Sequence, residues 1–86
     1  MLKLELSSDG ARTALRLIGR VQSAHLSEIA EQMGIGGPKV ILDLEDVTIV
    51  DVDVVRFLGT CEKEGTELVN CPPYVREWIL REGERT

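Results

Sequence analysis

The chain is predicted to be a small α/β domain. It should hold one mixed four-stranded sheet in the order β-β-α-β-α-β-α, with its helices packed mainly on one face. Three observations lead there. Two apolar, alternating stretches flank an Asp-Gly pair near the start, a β-branched run fills the middle, and segments with apolar residues three and four apart separate the later strands. A chain of 86 residues makes a single domain, residues 1–86, with one modest core and no deep substrate cavity.

Leu2, Leu4 and Leu6 alternate with Lys3 and Glu5, which is the pattern of a strand with one apolar face. Ser7-Ser8-Asp9-Gly10 reads as a turn, Asp-Gly being a strong hairpin signal. In the return strand, Thr13 to Ile18, Thr13, Leu15 and Leu17 share a face opposite Arg16, and Gly19 ends the strand. The two strands are expected to form an antiparallel hairpin. Ser23 is read as the N-cap of the next element, a helix that groups Leu26, Ile29, Ala30 and Met33 on one side. Gly34, Gly36, Gly37 and Pro38 then terminate it.

A helix between two strands supplies the crossover that parallel pairing requires. Val40-Ile41-Leu42 and Val47-Thr48-Ile49-Val50 are β-branched apolar runs, suited to a strand buried on both faces. At Asp51-Val52-Asp53 the period changes to helical, with Val54 or Val55, Leu58 and Cys61 recurring on one face. Asp53 is placed at the start of this helix, where a carboxylate accepts an unpaired N–H and meets the positive end of the dipole. Gly65 is its left-handed stop. A short strand, Glu67-Leu68-Val69-Asn70, leads to Cys71-Pro72-Pro73, and Pro73 opens a last helix. Val75, Trp78 and Ile79 share its inner face, and Glu77 is spaced to pair with Arg81. Leu42, Ile49, Leu58 and Trp78 are expected to be buried.

The formal charge of -5 argues against a nucleic-acid surface, which needs clustered Lys and Arg, and against adhesion to anionic lipid. No apolar run approaches the ~20 residues of a membrane span, so no direct membrane insertion is expected and the domain is read as cytoplasmic. Cys61 and Cys71 are too few for a disulfide framework and are read as buried reduced thiols.

Five carboxylates, Asp43, Glu45, Asp46, Asp51 and Asp53, lie near strand ends that should converge. They are the one arrangement that could hold a hard cation such as Mg²⁺. The competing reading makes Asp43 and Asp51 strand ends, Asp53 a helix cap, and Glu45 and Asp46 solvated turn residues. It is preferred, because no nearby Lys, Arg or substrate loop is expected to complete a metal-assisted mechanism. No metal and no cofactor are expected. His25 has no partner at ligand spacing and is read as a solvent-facing first-turn residue; Ser23 and Ser27 lack a base. A phosphate-accepting receiver domain needs five strand–helix units, more than this length allows. No catalytic constellation remains, and the protein is read as not an enzyme.

The segment Val40-Ile-Leu-Asp-Leu-Glu-Asp-Val-Thr-Ile-Val-Asp51 resembles the STAS domain family, named for sulphate transporters and anti-sigma factor antagonists. The family pattern is v-x-l-D-l-s-x-v-x-x-i-D, followed by S-S-G-L or S-T-G-L at a helix start. Leu17-x-Gly19-Arg20-Val21 resembles its l-x-G-x-l, and Gly65 to Asn70 with Pro72-Pro73 and Val75-Arg76 resembles its later segment. The resemblance covers nearly the whole chain. It implies a non-catalytic module that docks on another protein. In antagonist members a partner kinase phosphorylates a serine or threonine two residues after the motif aspartate. Counted from Asp51 that position is Asp53, and D-S-S-G reads Asp51-Val52-Asp53-Val54, so the switch hydroxyl is missing.

The resemblance places the partner surface at the start of this helix, with Asp51, Asp53, Val54, Arg56 and Phe57 as its residues and Val55 and Leu58 in the core. It implies a protein partner: a kinase-like anti-sigma factor or, alternatively, an ATPase component of a membrane transport complex for which this chain would be an accessory subunit.

Overall fold

The computed structural model describes residues 2–9, 12–37 and 39–84. The elements run β1 (Leu2–Asp9), β2 (Arg12–Val21), a 3₁₀ turn (Ser23–His25), α1 (Leu26–Gly36), β3 (Val40–Asp43), β4 (Val47–Val50), α2 (Val52–Lys63), β5 (Glu67–Val69) and α3 (Pro73–Glu84). β1 and β2 pair antiparallel, with Leu4 opposite Leu17 and Leu6 opposite Leu15. Ser7, Ser8 and Asp9, read from sequence as a turn, extend the strand. The remainder of that turn, Gly10, lies outside the described residues.

The sheet has five strands rather than four, because the central run is broken in two. β3 lies parallel to the first half of β2, with Leu42 opposite Leu15. β4 continues the same lane and lies parallel to the end of β2, with Val50 opposite Val21. Between them Asp43 Oδ1 accepts the Glu45 N–H at 3.0 Å, an Asx turn that competes with the strand ladder. Leu44 stays buried at this break, and its N–H reaches Val69 O at 3.0 Å. β5 completes the sheet parallel to β3.

Gly19 does not end β2. It takes φ 96°, donates its N–H to Asp46 O at 2.9 Å, and sits at a register shift that leaves Thr48 without an opposite residue. Such a bulge bends a strand and re-aims its side chains. On β4 the buried residues are accordingly Val47 and Val50, while Ile49, expected in the core, is 51% exposed.

The core lies on the face of the sheet that carries Leu15, Leu17, Val40 and Leu42, and all three helices contribute to it: Ile29 from α1, Val54, Val55, Leu58 and Cys61 from α2, and Val75 and Ile79 from α3. Leu42 and Leu58 are buried as expected, whereas Trp78 is half-buried against the cluster. Ala30 is exposed, so the inner stripe of α1 is Leu26, Ile29 and Met33. α1 also runs through Gly34 before Gly37 closes it at φ 93°, and Pro38 lies outside the described residues. α2 ends as its sequence indicates. Gly65 at φ 100° donates to Glu62 O, and the Thr66 N–H reaches back to Cys61 O at 2.9 Å. Those two bonds make a Schellman close. The Glu77–Arg81 pair forms at 2.6 Å on the outer face of α3.

Candidate functional site

The junction between β4 and α2 is organised by Asp51. Its backbone is extended and α2 begins at the next residue, so Asp51 is the helix cap and Asp53 is not. Asp51 Oδ1 accepts the Val54 N–H at 2.9 Å, and Oδ2 accepts the Ser23 N–H at 2.8 Å. One carboxylate therefore ties the start of α2 to the segment entering α1. The Val54 N–H, followed by Ser23, holds this carboxyl below the ordinary carboxylate range. Its oxygens are committed to the backbone. Asp51 therefore holds the start of α2 and the entry to α1 in place.

Ser23 correspondingly donates its N–H to a neighbouring element and is the first residue of the 3₁₀ turn rather than a cap. Gln22 stands before that turn, and its N–H donates to His25 Nδ1 at 3.1 Å. His25, read as solvent-facing, is half-buried in this local bond.

Asp53 lies in the first turn of α2, exposed, and its carboxylate has no ion pair among the described residues. Val54 is only 1% exposed and packs in the core with Val55 and Leu58, which removes it from any outer surface. A helix that starts at Val52 turns residues 54, 55 and 58 inward and leaves 52, 53 and 56 outward. Phe57 is half-buried against the core. Arg56 is exposed but engaged, its Nε 2.9 Å from Glu82 Oε1, so it links α2 to α3.

Around this junction the surface holds apolar residues that sequence reasoning missed. Ile49, Val52 and Tyr74 are all substantially exposed. Tyr74 is drawn to β4 from α3 by its hydroxyl, which donates to Thr48 O at 2.7 Å. Val52 could have been found from its place between two aspartates. Ile49 could not, because the bulge that turns it outward, with Thr48 as its extra residue, forms only when β4 pairs with β2.

The five carboxylates do not assemble. Asp43 Oδ1 also accepts from Asn70 Nδ2 at 3.2 Å, Asp46 pairs with Arg16, and Asp51 serves the two backbone groups. Asp46 above all, with the charges of Asp43 and Glu45, raises the Arg16 guanidinium. The arginine that no neighbour in sequence revealed is thus delivered by β2. Among the described residues no group of three or more His, Cys, Asp or Glu is placed to hold a metal ion.

No family model and no curated relative matches the chain by sequence. Its structure is similar to a solved one, that of the anti-sigma factor antagonist SpoIIAA in its unphosphorylated form, with a TM-score of 0.70 over 94% of this chain and 81% of that one. The chain has the STAS fold. Sequence identity is 16%, so the likeness is one of architecture. No described helix is long and apolar enough to cross a membrane.

Proposed function

We propose that this chain is a non-catalytic, cytoplasmic STAS-type module that regulates a protein partner by docking through the β4–α2 junction. The partner is a kinase-like anti-sigma factor, and Asp53 stands where an antagonist carries its phosphorylatable hydroxyl. The observation that carries the reading is the division of labour between two aspartates. Asp51 caps α2 through Oδ1 and takes the Ser23 N–H on Oδ2, while Asp53 is exposed and, among the described residues, unpaired.

A carboxylate that neither caps nor pairs is free to meet a partner, and Val52 beside it and Ile49 one strand-end away offer apolar area for burial. The charge is permanent, about one unit against the nearly two of a phosphoserine. The partner's surface is therefore built to receive a carboxylate rather than to sense a switch.

Affinity capture with the wild-type chain tests this, followed by titration of the captured protein after purification. A kinase-like ATPase that binds wild type and loses affinity for Val52→Asp and Asp53→Asn supports the reading. Retention by both variants would move the surface elsewhere, and tighter binding by Asp53→Asn would mean that the aspartate mimics a locked, phosphorylated state.

A further inference from the structure

β1 is the outer strand of the sheet, whose order is β1-β2-β3-β5. It is eight residues long, contains no proline, and pairs with β2 without a register break. The other outer positions are blunted. β5 has three residues, and the outer side of β4 is occupied where the Tyr74 hydroxyl takes Thr48 O. No described strand lies on the far side of β1. A long regular edge of this kind is a template for another strand.

Its side chains say which strand. Leu2, Leu4 and Leu6 lie on the core side, opposite Gly19, Leu17 and Leu15, and Leu6 remains 38% exposed. Lys3 and Glu5 lie on the other side, Nζ to Oε2 3.5 Å apart and both open to solvent. We infer that a second copy of this chain pairs with β1, antiparallel, about a two-fold axis at Leu4. That register sets Leu2 against Leu6 of the second copy and Lys3 against its Glu5, twice by symmetry. Directly opposed side chains in an antiparallel pair interact, and opposite charges there are favourable. Moving the axis to Lys3 or to Glu5 would oppose like charges, and moving it to Leu6 would set Leu4 against Ser8, so charge and apolar matching together select the Leu4 register. The result is a sheet continuous through both copies, with Leu6 covered and the β4–α2 junctions left free. The shared edge is short, and the dimer is accordingly weak.

Sedimentation of the full chain from micromolar to millimolar concentration tests the pairing. Wild type should pass from monomer to dimer. Lys3→Glu and Glu5→Lys should each raise the dissociation constant by about tenfold or more, because each change acts at two symmetry-related pairs. Circular dichroism should be unaltered, the two positions being exposed, although Glu5→Lys also sets a lysine opposite Arg16 on β2 and should lower the unfolding midpoint slightly. Mixed in equal amounts the two variants should dimerise again, two glutamates facing two lysines. A wild type that stays monomeric throughout, a dimer indifferent to both reversals, or a mixture that stays monomeric would each overturn the inference.

Discussion

Asp51 Oδ2 and the Ser23 N–H meet at 2.8 Å across 28 residues of sequence, joining the entry of α1 to the cap of α2. Removing this carboxylate loses more than a helix cap. Asp51→Ala should cost about 0.5–2 kcal/mol for the cap and roughly 1 kcal/mol more for the bond to Ser23. Urea unfolding measures the sum. A loss no larger than that of Asp53→Ala would show that the capping role is misassigned.

The same carboxylate makes stability depend on acid. Its folded pKa lies below the unfolded value, so its contribution is fully present above the ordinary aspartate range, about pH 4, and fades as pH falls through the folded pKa. Asp51→Asn should therefore unfold with a flatter dependence on pH below about 4 than wild type. Parallel curves for the two proteins would contradict the assignment.

Leu42 and Leu58 are essentially inaccessible and belong to the one core shared by sheet and helices. Leu→Ala at either site should cost on the order of 2–5 kcal/mol, a large share of what so small a domain possesses. Denaturant midpoints check this, and losses under about half a kilocalorie at both sites would mean that the core is wrongly drawn.

Gly65 has nothing within 4 Å of where a Cβ would stand, yet its φ is 100°. The penalty of Gly65→Ala is then conformational alone, about 1–2 kcal/mol, and Gly65→Asn should cost less. Equal losses for the two variants would point to a steric cause instead.

The cysteines should differ in reactivity. Burial foremost, with the charge of Glu64 adding, pushes the Cys61 thiol up to about 11, and burial also raises Cys71, which is less enclosed. Under native conditions a thiol reagent should modify Cys71 first and Cys61 only as the protein opens. Faster labelling of Cys61, followed by mass spectrometry of peptides, would reverse the order of burial.

Much of this protein is settled by local chemistry, and those parts are legible in the sequence by itself. Alternation of apolar residues marks β1 and β2, three- and four-residue spacing marks the inner faces of α2 and α3, and Gly65 and Pro73 place a helix end and a helix start. These signals act within one or two turns of chain, where period and backbone freedom decide the outcome.

What only the tertiary structure decided depends on groups far apart in sequence. The bulge opposite Gly19 places an extra residue, Thr48, on β4 as that strand pairs with β2, and it turns Ile49 out of the core. The roles of Asp51 and Asp53 are separated by a bond from Ser23, and one carboxylate of the acidic turn, Asp46, is paired by Arg16 arriving on a neighbouring strand. Spacing places a carboxylate near a helix start but does not say which of the two aspartates flanking Val52 finds the second N–H. That choice needs a hydrogen-bond partner brought from another element, and only the folded chain supplies one.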